Sequence, residues 1–242
     1  MKLSIDHVPF ICNSTSVLES SFRGLGFSCS PSGEYTSPEF PDVIWRTTCV
    51  FLSQGWFDLL EAKEATNRGI PAGCLFLGDD LPSVLARVSD AIPSSQYSLD
   101  RRWDFQEEGG EHFELASFRE NICRLPVSVI QHHWPCDDVE PLWTEHSNTA
   151  IGLEGLLCSN AKPLEASPLS HILNVSQAKD ISPKAFRQRF GKCDHGIAVR
   201  VRVVSIAKLS SHLAAASVPH LQEKTKVLAY PPMLDCVFEF VE

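Results

Sequence analysis

One order of elements occurs twice in the first 135 residues: a strand, a helix, then three strands. Residues 3–12 alternate as a strand, with Ile5, His7, Pro9 and Ile11 on one face. Asn13, Ser14 and Thr15 offer side-chain oxygens to the first unpaired N–H groups of a helix. Val17, Leu18, Phe22 and Leu25 recur at helical spacing, and Gly26 suits the helix stop. A short strand over 27–30 and a Pro/Ser/Gly-rich loop over 31–41 follow. A long strand over 43–52, a turn at Gln54-Gly55 and a strand over 56–63 complete the unit. The pattern then restarts. Residues 73–78 read as a strand, Asp79-Asp80 as a cap, and 81–92 as a helix with Pro82 in its first turn. Strands are expected over 97–105, 112–118 and 127–133, with a turn at 107–110 between the first two. A shift of about 67 residues superposes the two helices and one of about 70 the two closing strands, at negligible identity. The repeat is one of architecture, and it predicts an α+β fold of repeated βαβββ modules, with cupped mixed sheets and helices outside.

Linkers at 65–71 and 135–148 bound these modules. The expected organisation is a pair over 1–135 (1–64 and 72–135), followed by a more divergent α+β module over 149–242, packed on the first two. In that last part, strands are expected over 151–158, 186–190 and 196–209, including the alternating run 197–204. Helices are expected over 163–173 and 210–218, and a final strand over 234–241.

Charge and cysteine usage narrow the partners. With 21 Lys and Arg against 30 Asp and Glu, the chain of 242 residues carries −9, which repels phosphate backbones and argues against nucleic acid. The nine cysteines show no C-x-x-C pair, and several lie in apolar runs, which fits a reducing compartment. No apolar run approaches the roughly 20 residues needed to span a bilayer. A soluble, cytoplasmic protein without membrane partners is expected. An odd number of modules leaves unpaired sheet edges, so either the third module caps the pair or a homodimer completes it.

The chemistry-bearing residues sit on the outer strands of each unit. In a βαβββ unit the first and last strands can lie side by side, so His7 and Glu61 would present a nitrogen and an oxygen to one point. Zinc, iron, manganese and nickel accept that mixture. The repeat shifts place Cys74 opposite His7 and Gln131 opposite Glu61. The third unit offers Glu239 in its last strand and Glu154 in its first. Gln131 and His133 should share one strand face, with His132 on the other.

Three local patterns resemble the vicinal oxygen chelate superfamily, and within it the glyoxalase-like domain group. They are Ile5-Asp6-His7-Val8, the helix end Leu25-Gly26-Phe27 and the strand Leu59-Leu60-Glu61. Further along, Gly78-Asp79-Asp80-Leu81, the stretch 125–134 and His146-Ser147-Asn148 add to the resemblance, which spans about residues 3–160. It implies a cupped sheet around a divalent metal that holds a small molecule through adjacent oxygens. His7 and Glu61 fall on ligand positions; Cys74 and Gln131 depart from the usual ligand types. The implied activity is that of a metal-dependent lyase, isomerase or dioxygenase-like enzyme, with Glu61 or Glu239 as general base. The alternative is a metal-free protein on the same fold, holding an apolar or aromatic small molecule against Trp45, Phe51 and Trp134. Polarity would come from Gln131 or His146, with Cys74, His133 and Asn148 as further pocket candidates.

Overall fold

A computed structural model describes residues 2–88, 94–107, 110–122, 124–133, 139–160, 168–174, 176–191, 193 and 196–242. Trp134, the central part of the turn expected at 107–110 and the first half of the helix expected over 163–173 lie outside these residues.

The first sheet is built from β1 (Ile5–Cys12), β2 (Gly33–Thr36), β3 (Trp45–Phe51), β4 (Trp56–Glu61), β5 (Ile70–Pro71), β6 (Cys74–Leu77), β7 (Ser94–Trp103), β8 (Glu111–Ile122) and β9 (Leu125–His132). Its order is β4-β3-β2-β7-β8-β9-β6-β1, and a further β4–β1 pairing closes it into a barrel, with β5 beside β1. The two units are topologically alike. In one, β1 runs parallel to β4; in the other, β6 runs parallel to β9; and β1 and β6 pair antiparallel. Helices α1 (Thr15–Gly24) and α2 (Leu81–Ala86) each follow the first strand of their unit, and both present buried faces to the common core.

The far side of the cup is closed by β2 against β7, and β2 arises where the composition reads as a loop. Tertiary pairing on both edges of residues 33–36 outweighs their poor strand propensity. Gly33 makes the closure possible, since a Cβ there would stand 2.7 Å from the Arg102 carbonyl oxygen. Residues 27–30, expected as a strand, instead run alongside β3. Ser30 exchanges two hydrogen bonds with the Cys49 backbone, through its N–H and its Oγ.

The second sheet contains β10 (Ala150–Ser159), β11 (Ala178–Ile181), β12 (Ile197–Val203), β13 (His220–Gln222), β14 (Lys226–Ala229) and β15 (Val237–Val241), in the order β11-β10-β12-β15-β14-β13. A complete βαβββ unit runs from β12 through helix α5 (Ile206–Ala215) to β15, and β12 lies parallel to β15. Its first strand pairs antiparallel with β10, as β1 does with β6, so its sheet partner comes from within the chain. Helix α3 (Pro141–Thr144) lies in the connection between the sheets. Residues 183–190, part of which reads as a strand, form helix α4 (Pro183–Phe190). The Ser182 Oγ accepts the Ala185 N–H, Pro183 opens the first turn, and Phe186 and Phe190 fall one turn apart on a buried face.

One apolar core joins both sheets. Phe10, Phe22 and Phe57 of the first half meet Phe238 of β15, with Phe10 stacked on Phe238 at 6.2 Å and Phe22 edge-on at 5.7 Å.

Candidate functional site

Alternation along the barrel strands decides which side chains face inward. His7 and Pro9 of β1, Tyr35 of β2, Asp58 and Leu60 of β4, Leu99 of β7, Phe113 and Leu115 of β8 and Ile130 of β9 line an inner chamber of about 140 Å³. A wider mouth of about 360 Å³ adjoins it. The two share Tyr35, Asp58, Leu60, Tyr97 and Leu99, and Phe40 and Trp45 form the outer rim. Phe40 stands edge-on to both Trp45 and Tyr97 at 6.0 Å, so the entrance is aromatic.

Two buried polar systems meet at the chamber. The first is centred on Asp6, which sits in a register shift between Ile5 and His7. A bulge of this kind re-aims a side chain. The Asp6 Oδ2 accepts hydrogen bonds from His7 Nδ1 (2.7 Å), Trp56 Nε1 (3.0 Å) and His132 Nε2 (3.2 Å). Burial alone would raise the Asp6 pKa, but the hydrogen bonds and charges of His132 and His7 outweigh it and hold the carboxyl well below the usual range. His7 also lies against Trp56, with the rings tilted by 35° and their centres 4.0 Å apart. Its Nδ1 is thereby fixed, leaving Nε2 as the nitrogen available to a ligand.

The second system is Asp58 with its neighbours. Thr47 donates its hydroxyl to the Asp58 carboxyl. Burial pushes the Asp58 pKa up, against the opposing charges of His7 and Arg101 and the hydrogen bonds of Thr47 and Tyr35. Burial likewise raises Tyr35 and Cys49 far above their ordinary values, so Tyr35 is a neutral phenol and Cys49 a neutral thiol rather than a nucleophile. Behind them Arg101 is 2 % exposed and ion-paired with Glu111. Its guanidinium stands 4.6 Å from the Trp103 ring centre, 5.1 Å from Trp56, 5.3 Å from Phe113 and 5.4 Å from Phe51. This cation closes the end of the barrel away from the aromatic mouth.

The structure does not bring His7 and Glu61 together. His7 pairs with Trp56 at the start of β4, whereas Glu61 ends that strand on the opposite face and pairs with Cys12. There the Glu61 Oε2 accepts the N–H of Thr15, the first residue of α1, at 3.4 Å. Gln131 does the same in the second unit, accepting the N–H of Leu81, the first residue of α2, at 2.7 Å. The two residues matched by the repeat are therefore equivalent, as acceptors at helix N-termini rather than as ligands in the cup. Cys74 faces the outer core, and its neighbour Leu75 takes the inward slot opposite His7. In a strand, a slip of one residue exchanges the faces.

His146 and Asn148 are latches rather than pocket groups. His146 accepts from the Ser28 N–H at Nδ1 (3.0 Å) and donates from Nε2 to the Phe51 carbonyl (2.8 Å). Burial lowers its pKa. Asn148 donates to the Leu25 carbonyl and accepts the Ala150 N–H, both at 2.9 Å. It packs against Gly26 (φ 90°), where a Cβ would stand 2.8 Å from the Asn148 Cβ. Phe51 lies at the closed end, stacked on Trp56 at 5.5 Å, and not at the mouth. His133 lies on the outer face beside Glu114. Among the described pocket candidates, Trp45 alone lines the entrance.

Glu239 is fully buried on the face of the second sheet that α4 covers. Its oxygens face Arg189 Nη2 at 2.6 and 2.8 Å, Arg200 Nε at 3.0 Å and Lys226 Nζ at 3.5 Å. Glu239 is thus held among three cations on the second sheet and does not line the chamber of the first barrel. Glu154 is paired with Arg202 at 3.3 Å. The residues inside the first barrel also fit a divalent metal poorly. His7 and Asp58 line one chamber, but among the described residues no third histidine, cysteine or carboxylate converges with them. The one such group gathered there is His112, Glu114 and His133, outside the barrel.

Sequence reading passed over Asp6, Asp58 and Arg101. The signal for Asp58 was present: it shares its strand face with Trp56 and Leu60, while Phe57 and Leu59 occupy the other, so both faces of that strand are apolar.

The closed barrel of paired βαβββ units, with a second sheet of the same parts, is the vicinal oxygen chelate fold. A variant of 4-hydroxymandelate synthase from Streptomyces coelicolor superposes over 100% of this chain and 93% of its own, with a TM-score of 0.62 at 11% identity. A hypothetical protein from Staphylococcus aureus covers 99% of this chain and 86% of its own (TM-score 0.43, 12% identity). A methylmalonyl-CoA epimerase variant from S. coelicolor, in complex with 2-nitronate-propionyl-CoA, covers 55% of this chain and 100% of its own (TM-score 0.39, 14% identity). No family model matches the chain, and no curated protein does. At 11% identity the likeness to the synthase variant is one of fold.

Among the described residues no helix is long and apolar enough to cross a membrane.

Proposed function

We propose that the first barrel is the active site of a glyoxalase-like enzyme of lyase or isomerase type, which moves a proton on a small oxygen-bearing molecule. The observation that carries this reading is the meeting of His7, Asp58 and Tyr35 in an apolar chamber behind an aromatic mouth. A chamber of about 140 Å³ is below the ~300–1,000 Å³ of drug-sized pockets, so the reacting part of the ligand is small. Trp45, Phe40 and Tyr97 offer flat apolar surface to whatever extends outward.

Asp6 holds the His7 Nδ1–H and balances the imidazolium that forms when Nε2 takes a proton from a carbon beside a carbonyl. Asp58, whose burial favours the protonated form, donates to the carbonyl oxygen as the electron pair moves there. For a hydroxyketone, the imidazolium then returns its proton to the former carbonyl carbon, while the hydroxyl on the first carbon gives its proton to Asp58 and becomes the new carbonyl, which closes the cycle. Leu60, Leu75, Leu99, Leu115 and Ile130 keep bulk water from the exchanging proton.

A panel of small hydroxyketones and 2-oxo acids incubated with the protein in D2O tests this by NMR. Exchange of a carbon-bound proton is expected for at least one compound, abolished in His7→Gln and reduced about 10²-fold or more in Asp58→Asn. Quenching of Trp45 fluorescence without exchange would point instead to a binding protein on the same fold. Exchange that survives His7→Gln would sink the assignment.

A further inference from the structure

We propose that His112, Glu114 and His133 form a second, separate site that binds a divalent transition metal of the zinc type on the outer surface of the first barrel. His112 and Glu114 are two residues apart on β8, so they share its outward face, while Phe113 between them lines the chamber. His133 follows the end of β9, and its N–H donates to the His112 carbonyl at 3.1 Å, which brings the two rings to 5.3 Å. The His133 Nε2 stands 3.0 Å from the Glu114 Oε2, and the ligand atoms of all three residues lie within 4.8 Å of one another. With bonds of about 2.0–2.2 Å, ligands around tetrahedral zinc stand roughly 3.4 Å apart. The group needs only a small contraction, and these side chains are 34–46% exposed and free to make it.

A second observation points the same way. The Asp100 Oδ1 accepts from His112 Nδ1 at 2.7 Å. That bond sets the ring so that Nε2 is the nitrogen left to coordinate, the carboxylate–histidine arrangement that supports metal ligands and raises their basicity. Two imidazoles and one carboxylate suit zinc, cobalt, nickel or copper rather than magnesium or calcium, and exposure leaves a fourth position to water. Occupancy would tie β8 to β9, and through Asp100 to β7, one residue from the His132 that bonds Asp6. Nothing in the chamber's chemistry requires the site, so the two assignments stand or fall apart.

Titration of the chelator-treated protein with Co(II) and Zn(II), by calorimetry and visible absorption, tests the proposal. One equivalent is expected, with ligand-field bands and no thiolate charge-transfer band. His112→Ala and His133→Ala should each weaken binding at least tenfold. Asp100→Asn should weaken it about tenfold or more with all three ligands kept, and His7→Gln should leave it unchanged. Circular dichroism checks that each variant folds. Binding that is unchanged in the His112→Ala/His133→Ala double variant, binding that carries a thiolate band, or the absence of binding to either metal would overturn the proposal.

Discussion

At the scale of single residues, the first barrel concentrates groups that oppose folding unless function keeps them. Asp58 is the sharpest case. Its pKa is higher folded than unfolded because burial penalises the carboxylate. The native state therefore holds its proton more tightly, and the penalty is absent below the unfolded value of about 3.9. Stability then falls as pH rises from there through the raised native pKa. Asp6 has the opposite sign. Its folded pKa is depressed, so its contribution is present above the unfolded value and disappears as pH falls through the folded one. Asp58→Asn keeps an oxygen for the Thr47 hydroxyl and removes the charge. It should raise stability at pH 7 by about 0.5–2 kcal/mol, with the gain vanishing near pH 3–4. Urea denaturation of both proteins at several pH values measures this, and an Asn variant less stable than wild type at pH 7 would count against a strained carboxyl. His7 was readable as an inward-facing strand histidine. Its partners were not: Asp6 points inward only because of a bulge, and a bulge leaves no mark in an alternating pattern.

At the scale of elements, the repeat was legible and its register only partly so. The match of Glu61 with Gln131 survives in three dimensions, but both project to the outer face and accept the first N–H of their own unit's helix. Strand order tells which strands are neighbours, whereas face is set by a parity that one residue reverses. The same blindness moved Cys74 into the outer core. Residues 33–36 and 183–190 failed for another reason, since pairing on two edges made a strand of a Gly-containing loop and a Ser-Pro cap made a helix of a short aromatic run. The capping role has its own consequence. Gln131→Ala removes the acceptor for the Leu81 N–H and should cost about 1 kcal/mol, with metal and ligand binding unchanged. A substitution that abolished proton exchange while leaving stability intact would return Gln131 to the site.

At the scale of the whole molecule, the two sheets repeat the same parts to different ends. The first closes around a chamber. The second has its equivalent face covered by α4, with Phe186 and Phe190 filling the space and Arg189 reaching the buried Glu239. That sheet's weight in the fold lies on its other face. There Phe238 and Phe240 enter the core shared with Phe10, Phe22, Phe27 and Phe57. Sharing a core makes the halves cooperative, because neither can open without exposing the other's aromatic face. The tryptophans allow a direct measurement: Trp45, Trp56, Trp103, Trp134 and Trp143 all precede the second sheet. Phe238→Ala, a cavity in the last strand of that sheet, should destabilise the molecule by about 3–5 kcal/mol. The loss should shift the tryptophan-fluorescence transition of the first half as far as it shifts the far-ultraviolet circular dichroism of the whole. Two separated transitions, with the fluorescence midpoint unmoved, would mean that the barrel stands without the second sheet and that the shared phenylalanines are contact rather than core.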